Sequence, residues 1–483
     1  MLVTCHLIYA GQKEPGGRFG SNCLLFGVKS ALYTGGSDFP EAGCSFQVLD
    51  QVNLLLIMTS TKTEIKKGPF GVYYGWVIVA VAFLVGITQA GVFQNILSIF
   101  MIPMEAEFGW SRSLITGAIA VGSLAGGFAG PVLGPLIDRH GPRMMAFYGI
   151  TLLSVGLIAL AWLSSLWQLY LFFGLGRMIA AGLLNLVIAV SVSNWFIKRR
   201  GRAMGIAQLG SRVGLAVLPP LVQIMITGLG WRMAWGMLGL IVFVISALPS
   251  LIFLRRRPED EGLLPDGIQK KSTEPGAEKA TSDLSAADEE NPRIWTRHQI
   301  LKSRSFWHLI VVSCVIFFVG AGTNFHIFPF LTDQGVSPEI AVWVISVIWI
   351  LSAFGGLANG FLAERIPVKI LLAVSMSCMG IVFLSLFWAV QHLWLLFAFA
   401  AGYGFIRGAV LPLLALIWVE FFGRHSSGTA LGLSSVFRYT ANALGPVFAA
   451  ICFDLLNNYV FPFLLFSALL VFGGIVSSRA KAP

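Results

Sequence analysis

Long apolar stretches separated by short polar segments recur along most of the chain. They predict twelve membrane-spanning helices, because each stretch reaches the roughly 20 residues that an α-helix needs to cross a bilayer. Charged residues, Gly and Pro mark the connections between them. The predicted spans are 74–100, 112–136, 143–163, 166–194, 202–227, 232–254, 306–330, 338–362, 368–389, 393–420, 427–452 and 459–478. The pattern therefore predicts an all-α membrane protein.

One polar segment is much longer than the others. Residues 255–305 open with three consecutive arginines and continue through a stretch rich in Glu, Lys, Ser and Ala. Because this composition is too polar to be buried, we expect a disordered linker that ends in a short amphipathic helix at 295–302. The linker divides the spans into an N-terminal six-helix bundle, 74–254, and a C-terminal six-helix bundle, 306–478.

The segment before the first span has a different pattern. Residues 1–57 lack helical periodicity, and they lack the basic start, apolar stretch and cleavage site of a signal peptide. From Met58 the chain is basic and leads into an aromatic span start, so 58–73 is predicted to be a cytoplasmic tail. We favour a translation start at Met58, with 1–57 as a non-native extension. A genuine disordered tail is the alternative, and peptides from before Met58 would demonstrate it.

The charge distribution indicates where in the cell the protein lies and which partners it can have. Hydrophobic residues make up 56% of the 483 residues and charged residues only 12%, against about a quarter in soluble proteins. The net charge is +10, but Lys and Arg concentrate in loops on one side of the alternating spans. By the positive-inside rule this side is cytoplasmic, which places both termini, including the tail 479–483, and the linker there.

We expect a monomer in a cell membrane, specifically a bacterial inner membrane, with the lipid bilayer as its surroundings. Because the positive charge is accounted for by topology, no nucleic acid is expected as partner. The six cysteines show neither a disulfide framework nor metal-ligand spacing. No metal and no cofactor is expected.

Two loops show an internal duplication. G-P-L-I-D-R-H-G-P-R, residues 134–143, follows the second span, and G-F-L-A-E-R-I-P-V-K, residues 360–369, follows the eighth. Gly aligns with Gly, Asp with Glu and Arg with Arg. Duplicated bundles of this kind place a binding site near the membrane midplane, between two halves that rock about it.

The first loop resembles the signature of the major facilitator superfamily, G-x-x-x-D-R-x-G-x-R. The segment W-F-I-K-R-R-G-R-A-M-G-I-A-Q-L-G-S-R-V-G, 195–214, is similar to the fifth-helix pattern of the monocarboxylate transporter family. The bacterial branch of that family and the related oxalate/formate antiporters also fit. The resemblance implies two pseudo-symmetric six-helix bundles and transport by alternating access. Span eight carries no charge, where characterised members have an intramembrane Arg.

The resemblance also implies that the repeated loops act as a conformational latch, in which an acid pairs with nearby Arg and a helix N-terminus. Asp138→Asn is then expected to slow turnover more than it weakens substrate binding. The latch residues are Gly134, Asp138, Arg139, Gly141, Arg143, Glu364 and Arg365.

Ionisable residues deep in the predicted spans are the candidates for binding the substrate. A charge at mid-membrane costs about 2.5 to 3.5 kcal/mol on insertion scales, so it normally faces a cavity or a partner. Four arginines lie near mid-span, whereas every acid of the membrane region lies at a span end or in a loop. The four are Arg177, Arg212, Arg407 and Arg438. A bound anion can supply the missing negative charge, since a guanidinium matches a carboxylate bidentately; backbone carbonyls, helix C-termini and water are the alternatives.

Arg438 is the candidate that we favour for substrate binding, with Tyr439 and Asn442 beside it. The resemblance to oxalate/formate antiporters implies a cationic substrate residue on the same span. Arg212 is its near counterpart in the first half. Its alternative role is a hydrogen bond to carbonyls at the interface between the halves.

Each of the remaining candidate residues is compatible with more than one role. Arg177 partly resembles the fourth-helix Arg motif of the superfamily, which allows a structural or gating role, and Arg407 is equally compatible with pocket and packing. His326 is the deep group that titrates near neutral pH, so proton coupling competes with a hydrogen-bonded role at a helix interface. The polar pocket candidates are Gln94, Asn95 and Asn324.

These patterns predict a secondary active transporter of a small, monocarboxylate-like organic anion, working by alternating access as a proton symporter or an anion exchanger. A major facilitator drug or sugar transporter is the alternative, although cation efflux would favour a deep carboxylate. A membrane enzyme would need a deep nucleophile, base or metal-ligand set, and a receptor has no need of duplicated halves. An enzyme is therefore not expected.

Overall fold

The computed structural model describes residues 73–480 except 198, 262, 264–265, 267–294 and 364. The side chains of 130, 131, 138, 424, 425, 427 and 428 also lie outside the described set. The predictions for 1–57, for most of the 58–73 tail and for most of the linker therefore fall on residues that are not described.

Twelve helices in the described part are long and apolar enough to cross a membrane, as the pattern predicted. They are α1 Gly75–Phe108, α2 Arg112–His140, α3 Pro142–Trp162, α4 Leu166–Trp195, α5 Arg200–Leu229, α6 Trp231–Phe253, α7 Arg304–Asp333, α8 Pro338–Leu362, α9 Val368–Ala389, α10 Leu393–Gly423, α11 Thr429–Leu456 and α12 Val460–Arg479. The described residues contain no strand, which confirms the all-α fold class.

Helix α1 is longer than its predicted span. It consists of the helices Gly75–Gly91 and Gln94–Phe108, joined where Phe93 adopts extended backbone and precedes the second helix. Pro103 lies inside the second helix, which continues past the predicted end of the span at residue 100 to Phe108. Gly109, at φ 66°, closes the helix with the left-handed conformation that favours glycine.

The turn between α2 and α3 depends on Gly141. Its φ of 81° and ψ of 154° are accessible to glycine and costly for other residues. Its N–H donates to the carbonyl of Ile137, and Pro142 starts α3 with the backbone angle that a first helical turn needs. The glycine of the loop motif is thus required by the backbone.

The two bundles repeat the same helix pairings, in line with the sequence duplication. In the N-terminal bundle, α1–α6, α1 packs on α5, α2 on α4 and α3 on α6. In the C-terminal bundle, α7–α12, the equivalent pairs are α7 on α11, α8 on α10 and α9 on α12. The closest pairings are made by glycines: a Cβ on Gly210 would overlap the carbonyl of Phe83, and one on Gly445 that of Phe318.

The ends of the bundles are named here by their connections. The linker end is where α6 ends at Phe253 and α7 begins at Arg304, and the far end is where α1 ends at Phe108 and α7 ends at Asp333. At the linker end, the short helix Arg297–Lys302 is capped by Thr296, whose side chain accepts from the N–H of Gln299. This helix lies where the sequence predicted one.

The bundles contact each other through α2 with α11, α5 with α8, and the second part of α1 with α7. Hydrogen bonds join them at the far end, where Ser113 N–H donates to Asp454, and at mid-depth, where Ser346 Oγ donates to the carbonyl of Ala216. Toward the linker end, Val132 on α2 and Phe361 on α8 are more than half exposed. These two hydrogen bonds between the bundles thus lie at the far end and at mid-depth.

Candidate functional site

Arg177 and Arg407 occupy related places in the two bundles, on α4 and α10. The guanidinium carbon of Arg177 lies 5.0 Å from the centre of the Phe93 ring, and that of Arg407 lies 4.3 Å from the Trp349 ring. The two rings pack edge to face across the bundle interface, with centroids 5.9 Å apart. One aromatic pair therefore connects two guanidinium groups, each of which gains cation–π stabilisation.

The surroundings of Arg177 hold its side chain against α2. The residue is 8% exposed, and its Nε donates to Ser123 Oγ at 3.2 Å. It lies just before a π-helical turn, Ile179–Leu184, whose Ala180 carbonyl accepts from Gln89 of α1. Such turns reposition side chains within a helix and are frequent at functional sites.

Arg212 bridges the two bundles. Its Nη1 donates to the carbonyl of Ser352 on α8 at 3.0 Å, which is the carbonyl bond that its alternative interpretation expected. A largely apolar cavity of about 530 Å³ lies between α5 and α8 and is lined by Arg212, Ser346 and Trp349 among others. Arg212 is therefore the cationic group on the wall of this cavity.

Arg438 retains unused hydrogen-bonding capacity. Its Nη2 donates at 3.1 Å to the carbonyl of Leu431, about two helical turns closer to the linker end. Its Nε is buried without a hydrogen-bond partner among the described residues. The guanidinium carbon lies 5.6 Å from the Phe317 ring of α7. A ligand acceptor at Arg438 would satisfy a donor that is otherwise unpaired.

Tyr439 and Asn442, the neighbours of Arg438, lie at the interface between the bundles. Tyr439 packs against α2 at Gly127, where an added Cβ would come within 2.9 Å of the ring. Asn442 Oδ1 accepts from Gln94 Nε2 of α1 at 3.3 Å. Both predicted residues therefore join the bundles at mid-depth.

Asn95 and Asn324 are deeply buried, at 2% and 5% exposure. In each, the side-chain oxygen has no hydrogen-bond partner in the described part of the chain. Each can accept a hydrogen bond from a ligand donor or a water molecule. Neither of these oxygens therefore accepts a hydrogen bond from an arginine of the described residues.

His326 lies apart from the arginines, between α7, α11 and the turn before α12. Its Nε2 is 2.8 Å from the Pro446 carbonyl and its Nδ1 is 3.0 Å from the Tyr459 hydroxyl. Because a carbonyl only accepts, Nε2 carries the proton and Nδ1 accepts from Tyr459. Both nitrogens of this fully buried ring are thus paired with protein groups.

The ion pairs of the described residues lie at the ends of the helices. They are Arg112 with Glu105 and with Asp333, Arg232 with Glu107, and Arg255 with Glu261. None of them includes a mid-depth arginine. Within the described residues, the site between the bundles is therefore cationic and has no acidic counter-charge.

The latch residues lie at the linker end, and the structure describes only part of them. Arg139 and Arg365 are exposed, and Arg143 Nε donates to the carbonyl of Leu251 on α6 at 2.7 Å. Gly134 lies on α2 with no atom within 4 Å of an added Cβ. The Asp138 side chain and Glu364 lie outside the described residues, so their pairing stays a prediction.

The sequence did not identify the aromatic partners of the arginines or the role of Arg112. Phe93 and Trp349 are ordinary apolar residues of their spans, and only the fold brings them together. Arg112 received no role from the sequence, since it is one of the few basic residues at the far ends of the spans. Its isolation there, with Glu105 before it and Asp333 at the end of α7, was a signal that could have found the contact described below.

Comparisons with known proteins place the chain in a family. A family model described as the Major Facilitator Superfamily matches residues 79–446 and 329–480. Monocarboxylate transporter 12 of Homo sapiens is 26% identical over 421 residues, 84% of this chain and 80% of that protein. Monocarboxylate transporter 13 of Rattus norvegicus is 25% identical over 402 residues, 83% of this chain and 87% of that protein. The resemblance drawn from the motifs is confirmed.

Solved structures agree with the fold. A bacterial homolog of the human lysosomal transporter Spinster, in an inward-facing and unoccupied conformation, superimposes with a TM-score of 0.63 at 16% identity. The match covers 84% of this chain and 97% of that one. The inward-facing, occupied form of the homolog gives a TM-score of 0.60 at 17% identity. This likeness supports the architecture of two six-helix bundles.

Proposed function

The chain belongs to the major facilitator superfamily, and from that premise we propose that it carries a small organic anion of the monocarboxylate type by alternating access. Its relatives are membrane transporters, so it is a multi-pass membrane transporter and not an enzyme. The identity of the substrate and the mode of coupling belong to the proposal.

One observation carries the proposal: four arginines lie at mid-depth between or beside the bundles, and none has an acidic partner among the described residues. Aromatic rings and backbone carbonyls stabilise them partly. A bound anion supplies the negative charge that the arginines lack, and this charge is lost again when the anion leaves. A cation or a neutral sugar would leave these charges uncompensated, which favours an organic anion over the drug or sugar alternative.

Arg407 and Arg438 are the residues that we propose for binding the carboxylate. The guanidinium of Arg407 has a cation–π contact with Trp349, while Arg438 keeps an unpaired Nε. Charge-assisted hydrogen bonds from such donors are about twice as strong as neutral ones. Arg212 and Arg177 are already hydrogen-bonded to protein groups, so we assign them to the walls of the site.

We also propose that the linker end is cytoplasmic, as in a bacterial inner-membrane protein with both termini inside. The basic residues of the connections concentrate there, in agreement with the positive-inside rule. The described contacts between the bundles lie at the far end and at mid-depth. The structure then corresponds to a state closed to the outside, from which the anion exchanges with the cytoplasm.

Uptake into proteoliposomes tests the function. The purified protein would be given labelled monocarboxylates, dicarboxylates, a sugar and a lipophilic cation, with and without a pH gradient. We expect uptake of a monocarboxylate, and we expect Arg407→Gln to lower it at least tenfold, because a neutral amide lacks the charge that attracts the substrate. Arg304→Gln is the matched control, since it removes one exposed arginine from the linker end of α7.

The outcomes separate the alternatives. Uptake of the sugar or the cation, without uptake of any anion, would contradict the proposal. Full anion uptake by Arg407→Gln would move the binding role to another residue, and Arg438→Gln is the next variant to measure. Uptake that requires an inward proton gradient would identify symport, whereas uptake that requires internal anion would identify exchange.

A further inference from the structure

Arg112, at the start of α2, is the most extensively paired cation of the described chain. Its two terminal nitrogens donate to both carboxylate oxygens of Asp333, at 2.6 and 2.9 Å. Its Nε donates to Glu105 at 3.2 Å, and Nη1 also donates to the Tyr459 hydroxyl at 2.8 Å. The Phe453 ring covers the guanidinium at 3.8 Å. These five residues form the Arg112 cluster.

The Arg112 cluster joins the two bundles. Arg112 and Glu105 belong to the N-terminal bundle, whereas Asp333, Phe453 and Tyr459 belong to the C-terminal bundle. Arg112 is 6% exposed, so water screens its bidentate contact with Asp333 much less than it would screen a surface pair. The cluster is therefore a strong contact that must break whenever the bundles separate at the far end.

A hydrogen-bond chain connects the cluster to the interior of the C-terminal bundle. Tyr459 accepts from Arg112 and donates to His326, which donates to the Pro446 carbonyl of α11. Every polar group along this chain has its partner. The Tyr459 hydroxyl is thereby held in the position that Arg112 needs.

Glu105 gives Arg112 a partner in both states. If the bundles part, Asp333 leaves with the C-terminal bundle and is hydrated, while Glu105 stays beside Arg112 within the N-terminal bundle. Arg112, which pairs with both acids in the closed state, then keeps its ion pair with Glu105 instead of being left unpaired, which would be costly in a partly buried place. This arrangement holds the far end closed and still permits opening.

We propose that Arg112 is a gating residue of the transport cycle: its contact with Asp333 closes the far end, and its ion pair with Glu105 stabilises it when that contact breaks. This rests on the alternating access of the proposed function but not on the identity of the substrate. Asp333 and Glu105 therefore have opposite effects, since the first stabilises the closed state and the second the open one.

Spin-label distances across the far end test the proposal without any substrate. Labels at Ser164 and His392, on exposed far-end loops of the two bundles, would be placed in a cysteine-free background and measured by double electron–electron resonance. We expect Asp333→Asn and Arg112→Gln to increase the ratio of long to short distances about tenfold, because one partner of a bidentate charge pair is lost. Glu105→Gln is expected to lower the ratio.

Arg232→Gln is the matched control. Arg232 pairs with Glu107 at the same end, at 2.6 Å, but both residues belong to the N-terminal bundle. Its removal should leave the distance distribution unchanged. If Asp333→Asn gives the wild-type distribution, or if Arg232→Gln shifts it equally, the gating role is wrong.

A second measurement keeps the proposal testable if Arg112→Gln does not fold. The charge-swapped pair Arg112→Asp with Asp333→Arg, combined with Glu105→Gln so that the new carboxylate does not face a second one, should restore the short distances that each single change loses. Failure of this restoration in a folded form of the combined variant would overturn the direct contact. The absence of anion uptake in proteoliposomes would refute the proposed function and leave these distances unaffected.

Discussion

At the scale of single residues, Arg407 shows how a cation can be stabilised at mid-depth with no acidic partner in the described part of the chain. Its guanidinium lies 4.3 Å from the Trp349 ring, whose electron-rich face attracts it by about 0.5 to 2 kcal/mol, more when desolvated. That is less than the cost of about 2.5 to 3.5 kcal/mol for a charge at this depth on insertion scales. The part of this cost that the Trp349 ring does not offset can be offset by a bound anion.

Trp349→Ala should therefore weaken anion binding without abolishing transport. The loss of the cation–π contact corresponds to an increase of the half-saturating anion concentration by about 2- to 30-fold. Trp349→Phe keeps an aromatic face, so its half-saturating anion concentration should lie between those of the wild type and Trp349→Ala. Concentration-dependent uptake measures this effect, and Trp394→Ala, which removes an exposed ring at the start of α10, is the control.

Tyr459→Phe should destabilise the protein by about 1 to 3 kcal/mol, because His326 Nδ1 and one Arg112 donor lose their partner inside the protein. Thermal unfolding in nanodiscs measures the change. Tyr148→Phe, at an exposed position on α3, should have no effect. Equal melting temperatures for the wild type and Tyr459→Phe would contradict the hydrogen-bond chain.

The pH dependence of stability follows from the same hydroxyl. Burial raises the pKa of Tyr459 above its ordinary value. The unfolded chain then ionises first as the pH rises past about 10, so the stability contributed by this group is present below that pH and is lost above it. Tyr459→Phe should remove this part of the alkaline loss, which a comparison of melting curves at pH 9 and pH 11 would detect.

At the scale of helices, the apolar pattern was sufficient to find all twelve spans, because the bilayer imposes their length. It missed the break at Phe93 and the π-helical turn Ile179–Leu184. Both depend on partners from other helices: the Ala180 carbonyl in the π-helical turn, for example, accepts from Gln89 of α1. Hydrophobic periodicity along one segment contains no information about such partners.

Gly408→Ala should disturb the helix contact that positions Arg212. A Cβ at Gly408 would overlap the carbonyl of Ser352, the group to which Arg212 donates. Since overpacking at backbone contacts costs about 1 to 3 kcal/mol, we expect lower thermal stability together with slower transport. Gly432→Ala, on a helix with no atom within 4 Å of the added Cβ, should be neutral or slightly stabilising.

At the scale of the whole molecule, the duplicated motifs correctly predicted two bundles, whereas the binding site between them and its anionic ligand stay predictions. The residue pairs that form across the interface between the bundles could not be predicted from the sequence. Arg112 and Asp333 are separated by 221 residues, and a contact between them depends on how the two bundles dock. The same holds for Phe93 and Trp349.

The uncompensated arginines also lead to a prediction about coupling. In the proposed cycle, the empty carrier changes state with its mid-depth cations uncompensated, whereas the loaded carrier changes state with an anion bound to them. One such charge costs about 2.5 kcal/mol or more, so even partial neutralisation should make exchange at least about tenfold faster than net flux. Proteoliposomes preloaded with labelled anion should release it faster when unlabelled anion is present outside. Arg407→Gln should lose this stimulation and Arg304→Gln should keep it; equal release with and without external anion would contradict the argument.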